Sequence, residues 1–292
     1  MNLAAALAPR PAFRPRARLD VAPRASPSSA APSTEPTFAQ DVLLGLALGQ
    51  KAVPSRWLHD ARGKQLRGEI ALLESHYPAR NEALVLGRCA AQIAELAGRD
   101  ARLIELGSSA GPEAASLDGG STGRRRVLYI PGATLGGFAT EEAVGLLTRI
   151  GRQAGRDALL VVGTDTTHDP AVLIAAYDDF QGVAAAFNKN LLARINRELD
   201  GDFRLAAFRH EARYNAPRQR VEMHLVSRRA QRASVLGREV HFAMGESILT
   251  ECAYKHGLVG FRTLAARAGW LPRQLWMDGQ ARVAVHVLER AL

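Results

Sequence analysis

Ala101–Ser109, ARLIELGSS, is the stretch on which the reading of the fold turns. From Leu103 to Leu106 three of four residues are apolar, Glu105 is the exception, and the run stops at Gly107. A short apolar run ending on glycine reads as a buried strand feeding a turn where backbone approaches a ligand closely. Strand-then-glycine is also how nucleotide-binding α/β domains open, so the stretch points to a cofactor site.

Downstream, Val127–Ile130 reads as a second strand ending at Pro131-Gly132, and Ala158–Val162 as a third closed by Gly163-Thr164-Asp165. Between them Thr140 is the expected N-cap of a helix to about Gly151, with Glu141 and Glu142 facing its dipole. Strands alternating with helices argue for a parallel sheet. Upstream, Asp41–Leu48 is a short apolar helix, and Gly68–Ser75 is a helical turn or two closed by Tyr77-Pro78. In Arg80–Gly98 a stripe of Leu86, Cys89, Ala90, Ile93 and Leu96 marks a longer helix.

After Asp169-Pro170 the pattern predicts helices to about Tyr177 and over Val183–Leu199. Phe203–Tyr214, Val221–Val226 and Val235–Phe242 carry strand features; Val221, Met223 and Leu225 alternate with polar residues, as in a sheet with one wet face. Gly245–Lys255 and Leu258–Ala268 read as helix, and Leu275–Met277 and Val283–Leu288 as two last strands. The β-rich middle is thus expected to be a lobe inserted into the α/β sheet.

Composition excludes several classes. With 292 residues, 47% hydrophobic and 23% charged, the chain has a soluble globular balance, and no apolar run approaches the roughly 20 residues that cross a bilayer. Cys89 and Cys252 are far apart and form no CxxC pair, so neither a disulfide framework nor a metal site is expected and a reducing, cytoplasmic setting fits. The net charge of +9 is mostly scattered arginine, with no recognition helix or aromatic ladder to support a nucleic-acid partner. Residues 1–36 hold five arginines and seven of the fourteen prolines, too little apolar surface to offset ordering entropy, so a disordered tail is expected there.

Several phrases together resemble one family, the histidine-specific, S-adenosylmethionine-dependent methyltransferases of ergothioneine biosynthesis. They are DVLLGL, SRWLHDARGKQLRGEI, ESHYPAR, ELGSS, PGATLGGF, GTDTTHDP, AAYDDFQGVAAAFNKNLLARINREL and FAMGESILTECAYK, in the family's order from about Phe38 onward. The resemblance implies a Rossmann-like methyltransferase core, S-adenosylmethionine as cofactor, and methyl transfer to the α-amino nitrogen of histidine. It places Tyr177 on the substrate carboxylate, Glu251 on the imidazole, Gly132 in the turn lining the pocket, and Gly107 in the cofactor loop. A glutamate suits a partly cationic imidazole through charge-assisted hydrogen bonding.

The chain also departs from the family. Ser109 replaces a cofactor-loop glycine, and GPEAAS lacks the lysine that follows it. Gly137 replaces a substrate-contacting asparagine, His59 and His76 replace two pocket tyrosines, and Ala253 replaces a serine. Only nineteen residues separate Gly107 from Val127, where the family has two helices and two strands, one of them ending in the acid that binds the cofactor ribose. A βαβ unit alone takes roughly 30 residues.

The fold expected is therefore a truncated Rossmann-like α/β sheet with an inserted β-rich substrate lobe. Its divisions are a tail (1–36), a helical segment contributing to the substrate lobe (37–98), a shortened core (99–170), the substrate lobe (171–257) and a return to the sheet (258–292). Losing the second and third strands of the family's sheet leaves the others contiguous and turns the first strand into an edge, which suggests a homodimer paired there or a loop cap. Two functions follow: histidine methylation, or an impaired paralogue that holds an amino acid or a partner. Histidine is the expected small-molecule partner, with neither nucleic acid nor membrane.

Overall fold

The computed structural model describes residues 36–99, 101–106 and 125–291. The expected tail, apart from Pro36, and the passage 107–124, with Gly107 and Ser109, lie outside the described residues. In chain order the first half contains α1 (Phe38–Leu46), α2 (Ala61–Leu72), α3 (Tyr77–Ala97), β1 (Arg102–Glu105), β2 (Arg126–Ile130), α4 (Gly132–Leu135), α5 (Thr140–Ala154), β3 (Leu159–Asp165), α6 (Pro170–Tyr177) and α7 (Val183–Glu198). The second half contains β4 (Phe208–Asn215), β5 (Arg220–Ser227), β6 (Gln231–Val235), β7 (Arg238–Phe242), β8 (Ser247–Tyr254), α8 (Leu258–Arg267), β9 (Trp270–Met277) and β10 (Val283–Arg290).

The larger sheet has the order β1-β2-β3-β10-β9. β1, β2 and β3 are parallel, in register through Leu103, Val127 and Leu159. β10 runs antiparallel to β3, pairing Val285 with Gly163, and β9 is antiparallel to β10. β3 is buried from Leu159 to Thr164, as a central strand covered on both faces must be. On one face α3 contributes Val85, Cys89 and Ile93 against Val127, Val161, Val285 and Val287. On the other, Leu147 and Ile150 of α5 and Phe261 and Leu264 of α8 pack with Leu128, Leu160 and Trp270. Each such side chain contributes about 1.5–3 kcal/mol on leaving water. Among the described residues β1 lies at the edge, as expected, and its residues are exposed or half-buried, so the apolar run is not the buried strand it suggested.

The inserted lobe is built on the antiparallel sheet β4-β5-β8. Val221, Met223 and Leu225 of β5 face α6 and α7, meeting Leu173, Tyr177, Phe187 and Leu191. β6 and β7 form a hairpin whose two-residue turn, Leu236-Gly237, has φ of 50° and 73°, the left-handed pair that matches strand twist. Residues 51–53 lie along the outer edge of β8, where Leu249 N–H donates to the Lys51 carbonyl and Val53 N–H to that of Leu249.

Three local expectations are corrected. Gly245–Lys255 is not a helix: Ser247–Tyr254 is β8, paired with β5 through Leu225–Ile248 and Met223–Glu251 across a bulge. Pairing and burial decide here over an apolar pattern that either state would accept. Tyr77-Pro78 opens α3 instead of closing α2, since proline in the first turn of a helix removes an N–H that has no intrahelical partner. The cap of α5 is Ala139, whose N–H donates to Glu142 Oε2 at 2.9 Å, so Glu142 does the work expected of Thr140. Among the described residues no helix is long and apolar enough to cross a membrane.

Candidate active site

Tyr177 closes α6 and is 9% exposed. Its carbonyl accepts from His210 Nε2 at 2.9 Å, while His210 Nδ1 accepts from Asn188 Nδ2, so the bonds fix the ring's tautomer. The Tyr177 ring meets His76 edge-on, with centroids 5.7 Å apart. Its hydroxyl oxygen accepts from Lys255 Nζ at 2.8 Å. His76 Nδ1 donates to the Ala176 carbonyl at 3.0 Å, and burial holds the ring neutral, with a pKa near 4. His76 Nε2 therefore carries a lone pair.

Glu251 lies on β8 and is half-buried. Its Oε2 is buried with no hydrogen-bond partner among the described residues, and Oε1 stands 3.9 Å from Arg67 Nη1 of α2, too far for a hydrogen bond. Burial lowers the His59 pKa despite the pull of Glu251, and the nearby Arg67 and Lys64 push the same way. The Arg67 charge lowers the His76 pKa as well as that of His59. Glu251 and Gly137 share the wall of a cavity of about 380 Å³ that also takes in Leu44, Leu48 and Cys252.

The carboxyl ends of the parallel strands are occupied by internal bonds. Gly132 N–H donates to Glu82, 3.1 Å from each carboxylate oxygen, and the Tyr129 hydroxyl donates to Glu82 Oε1 at 2.8 Å. A Cβ on Gly163 would collide with the same carboxylate, so glycine here is what lets Glu82 reach the strand. Burial raises the Glu82 pKa to about 7, against the pull of its two donors. Asp165, ending β3, accepts from the Tyr77 hydroxyl at 2.9 Å, from Thr167 N–H at 3.0 Å and from Lys255 Nζ at 2.7 Å. Lys255 stays charged although burial works against it, because Tyr177 and Asp165 outweigh that penalty.

Of the residues singled out from sequence, Glu251 lines the cavity together with Gly137, and Tyr177 pairs with His76 and Lys255. Gly132 stands apart, its amide turned to Glu82. Gly107 is outside the described residues. Arg67, Lys255, Asp165 and Glu82 were not singled out. Asp165 and Lys255 sit in the phrases GTDTTHDP and ECAYK, but their meeting across the fold leaves no mark on local pattern. Among the described residues there is no cluster able to hold a metal ion.

A family model described as histidine-specific methyltransferase, SAM-dependent, matches residues 38–117 and 112–290. The match breaks where the sequence is short. A protein named histidine N-alpha-methyltransferase from Mycolicibacterium smegmatis is 32% identical, covering 85% of this chain and 94% of its own. One of the same name from Mycobacterium tuberculosis is 32% identical over 83% and 91%. Among solved structures, the CcbJ methyltransferase from Streptomyces caelestis aligns over 57% of both chains with 11% identity and a TM-score of 0.31.

Proposed function

Because this chain belongs to the family of histidine-specific, S-adenosylmethionine-dependent methyltransferases, we propose that it transfers a methyl group to the α-amino nitrogen of L-histidine. The observation that carries the substrate is Glu251 Oε2, a buried carboxylate oxygen without a partner. Such an oxygen is expensive unless an N–H donor reaches it, and an imidazole N–H is a donor of the right kind. Tyr177 would bind the other end of the amino acid, its hydroxyl donating to the carboxylate. Fixing ring and carboxylate leaves the amine one orientation, and alignment is most of what a displacement at a methyl group asks of a protein.

S-adenosylmethionine, when bound, supplies an electrophilic methyl group on a sulfonium. The described residues do not fit its adenosyl half. Among these β1 has no outer neighbour to bring an acid to the ribose, the Gly132 amide is engaged by Glu82, and Asp165 is engaged by Lys255, Tyr77 and Thr167. This favours a second reading, an amino-acid-binding protein that has lost the transfer. Calorimetric titration with S-adenosylhomocysteine and then with histidine separates the two. Heat from both, with mass-spectrometric detection of methylated histidine, supports the enzyme. Histidine binding without cofactor binding at millimolar concentration leaves the binding protein. Absence of histidine binding removes both.

A further inference from the structure

Lys255 is the residue after β8 and is 3% exposed. Its Nζ spans two parts of the molecule, donating to Asp165 Oδ2 at the end of the larger sheet and to Tyr177 Oη at the end of α6. The ammonium also lies 4.5 Å from the Tyr177 ring centre. Asp165 balances the lysine's charge and is itself saturated by Tyr77 and the Thr167 amide. A buried ammonium without such a partner would be strongly destabilising.

The consequence falls on Tyr177. A phenol oxygen that accepts from an ammonium has its own proton turned away from that donor. Among the described residues no acceptor is bonded to that proton. Donation from a cation also polarises the hydroxyl, making it a better donor in turn. The group presented to the site is therefore a buried hydroxyl held as donor, which suits an anionic oxygen and not an ammonium.

We infer that Lys255 is a positioning residue for the α-carboxylate of the bound amino acid, holding Tyr177 as an obligatory hydrogen-bond donor. This rests on the histidine reading above. It adds that selection for an amino acid over the corresponding amine comes from the Lys255–Tyr177 bond.

The test compares L-histidine with histamine, which has the same ring and amine but no carboxylate, by calorimetric titration of the full chain. Wild-type protein should bind histidine the more tightly. Lys255→Met should weaken histidine about tenfold and histamine by less than about twofold, the loss expected of a charge-assisted bond that only one ligand makes. Tyr177→Phe leaves the Lys255–Asp165 pair in place and should give the same pattern, so it decides the matter if Lys255→Met does not fold. Lys255→Arg should recover part of the preference. Equal losses for both ligands, or none, overturn the inference. Wild-type protein binding both ligands equally overturns it alone, and wild-type protein binding neither overturns the histidine reading with it.

Discussion

Glu251 and Glu82 are both acids held inside the protein, and they behave differently because their partners differ. Glu82 is met by a tyrosine hydroxyl and a backbone amide, whereas one oxygen of Glu251 finds no hydrogen-bond donor among the described residues. Glu251→Gln should therefore leave the unliganded melting temperature unchanged or slightly raised while weakening histidine about tenfold, measured by thermal melts and titration. For Glu82 the folded state favours the protonated acid, with its pKa raised from 4.5 to about 7 by burial. Between these values the native state binds more protons than the unfolded one, so this acid's contribution to stability declines as pH rises through the window. Glu82→Gln removes that decline, so the variant's melting temperature should gain on wild type from pH 4.5 to 7. Tyr177 and Glu251 could be singled out in the sequence because each lies in a distinctive phrase. Arg67 was not, since a helix that carries Lys64, Arg67 and Glu69 reads as a solvated face until β8 is placed beside it.

At the scale of elements, the alternation around β2 and β3 could be read directly, because strands buried on both faces are nearly continuous apolar runs. β8 could not. Ser-Ile-Leu-Thr-Glu-Cys-Ala-Tyr satisfies a helical or an extended pattern equally, and its partner β5 lies some twenty residues away. The start of α5 was misread by one residue because Glu142 reaches back to the Ala139 amide, which a search for a hydroxyl cap overlooks. Glu142→Ala should thus cost about 0.5–1 kcal/mol in urea unfolding, and Thr140→Ala almost nothing.

For the whole molecule, three buried histidines set the response to acid. Burial lowers His76 and His256 to about 4 and His286 to about 3. Below pH 6.5 the unfolded chain takes up protons that these folded rings refuse, so their contribution is present above 6.5 and is lost as pH falls toward 4. The Glu82 effect has the opposite sign over much of that range, but one acid stands against three rings. The melting temperature should fall steeply from pH 6.5 to 4, and His286→Gln, which keeps a polar group near Thr164, should flatten the slope. A melting curve flat across that range would contradict this account.

The position of β1 has a practical meaning. A parallel sheet shortened at its rim keeps every other strand at its old address, so what was removed can be put back through a single junction. The M. smegmatis relative aligns over 302 positions with only 85% of this chain, and the family match falls into two segments that overlap at 112–117. Where titration gives no heat with S-adenosylhomocysteine, grafting that relative's segment between Gly107 and Arg126 should confer its binding with the histidine side unaltered. A host of that kind would let recognition of the acceptor be studied apart from that of the methyl donor.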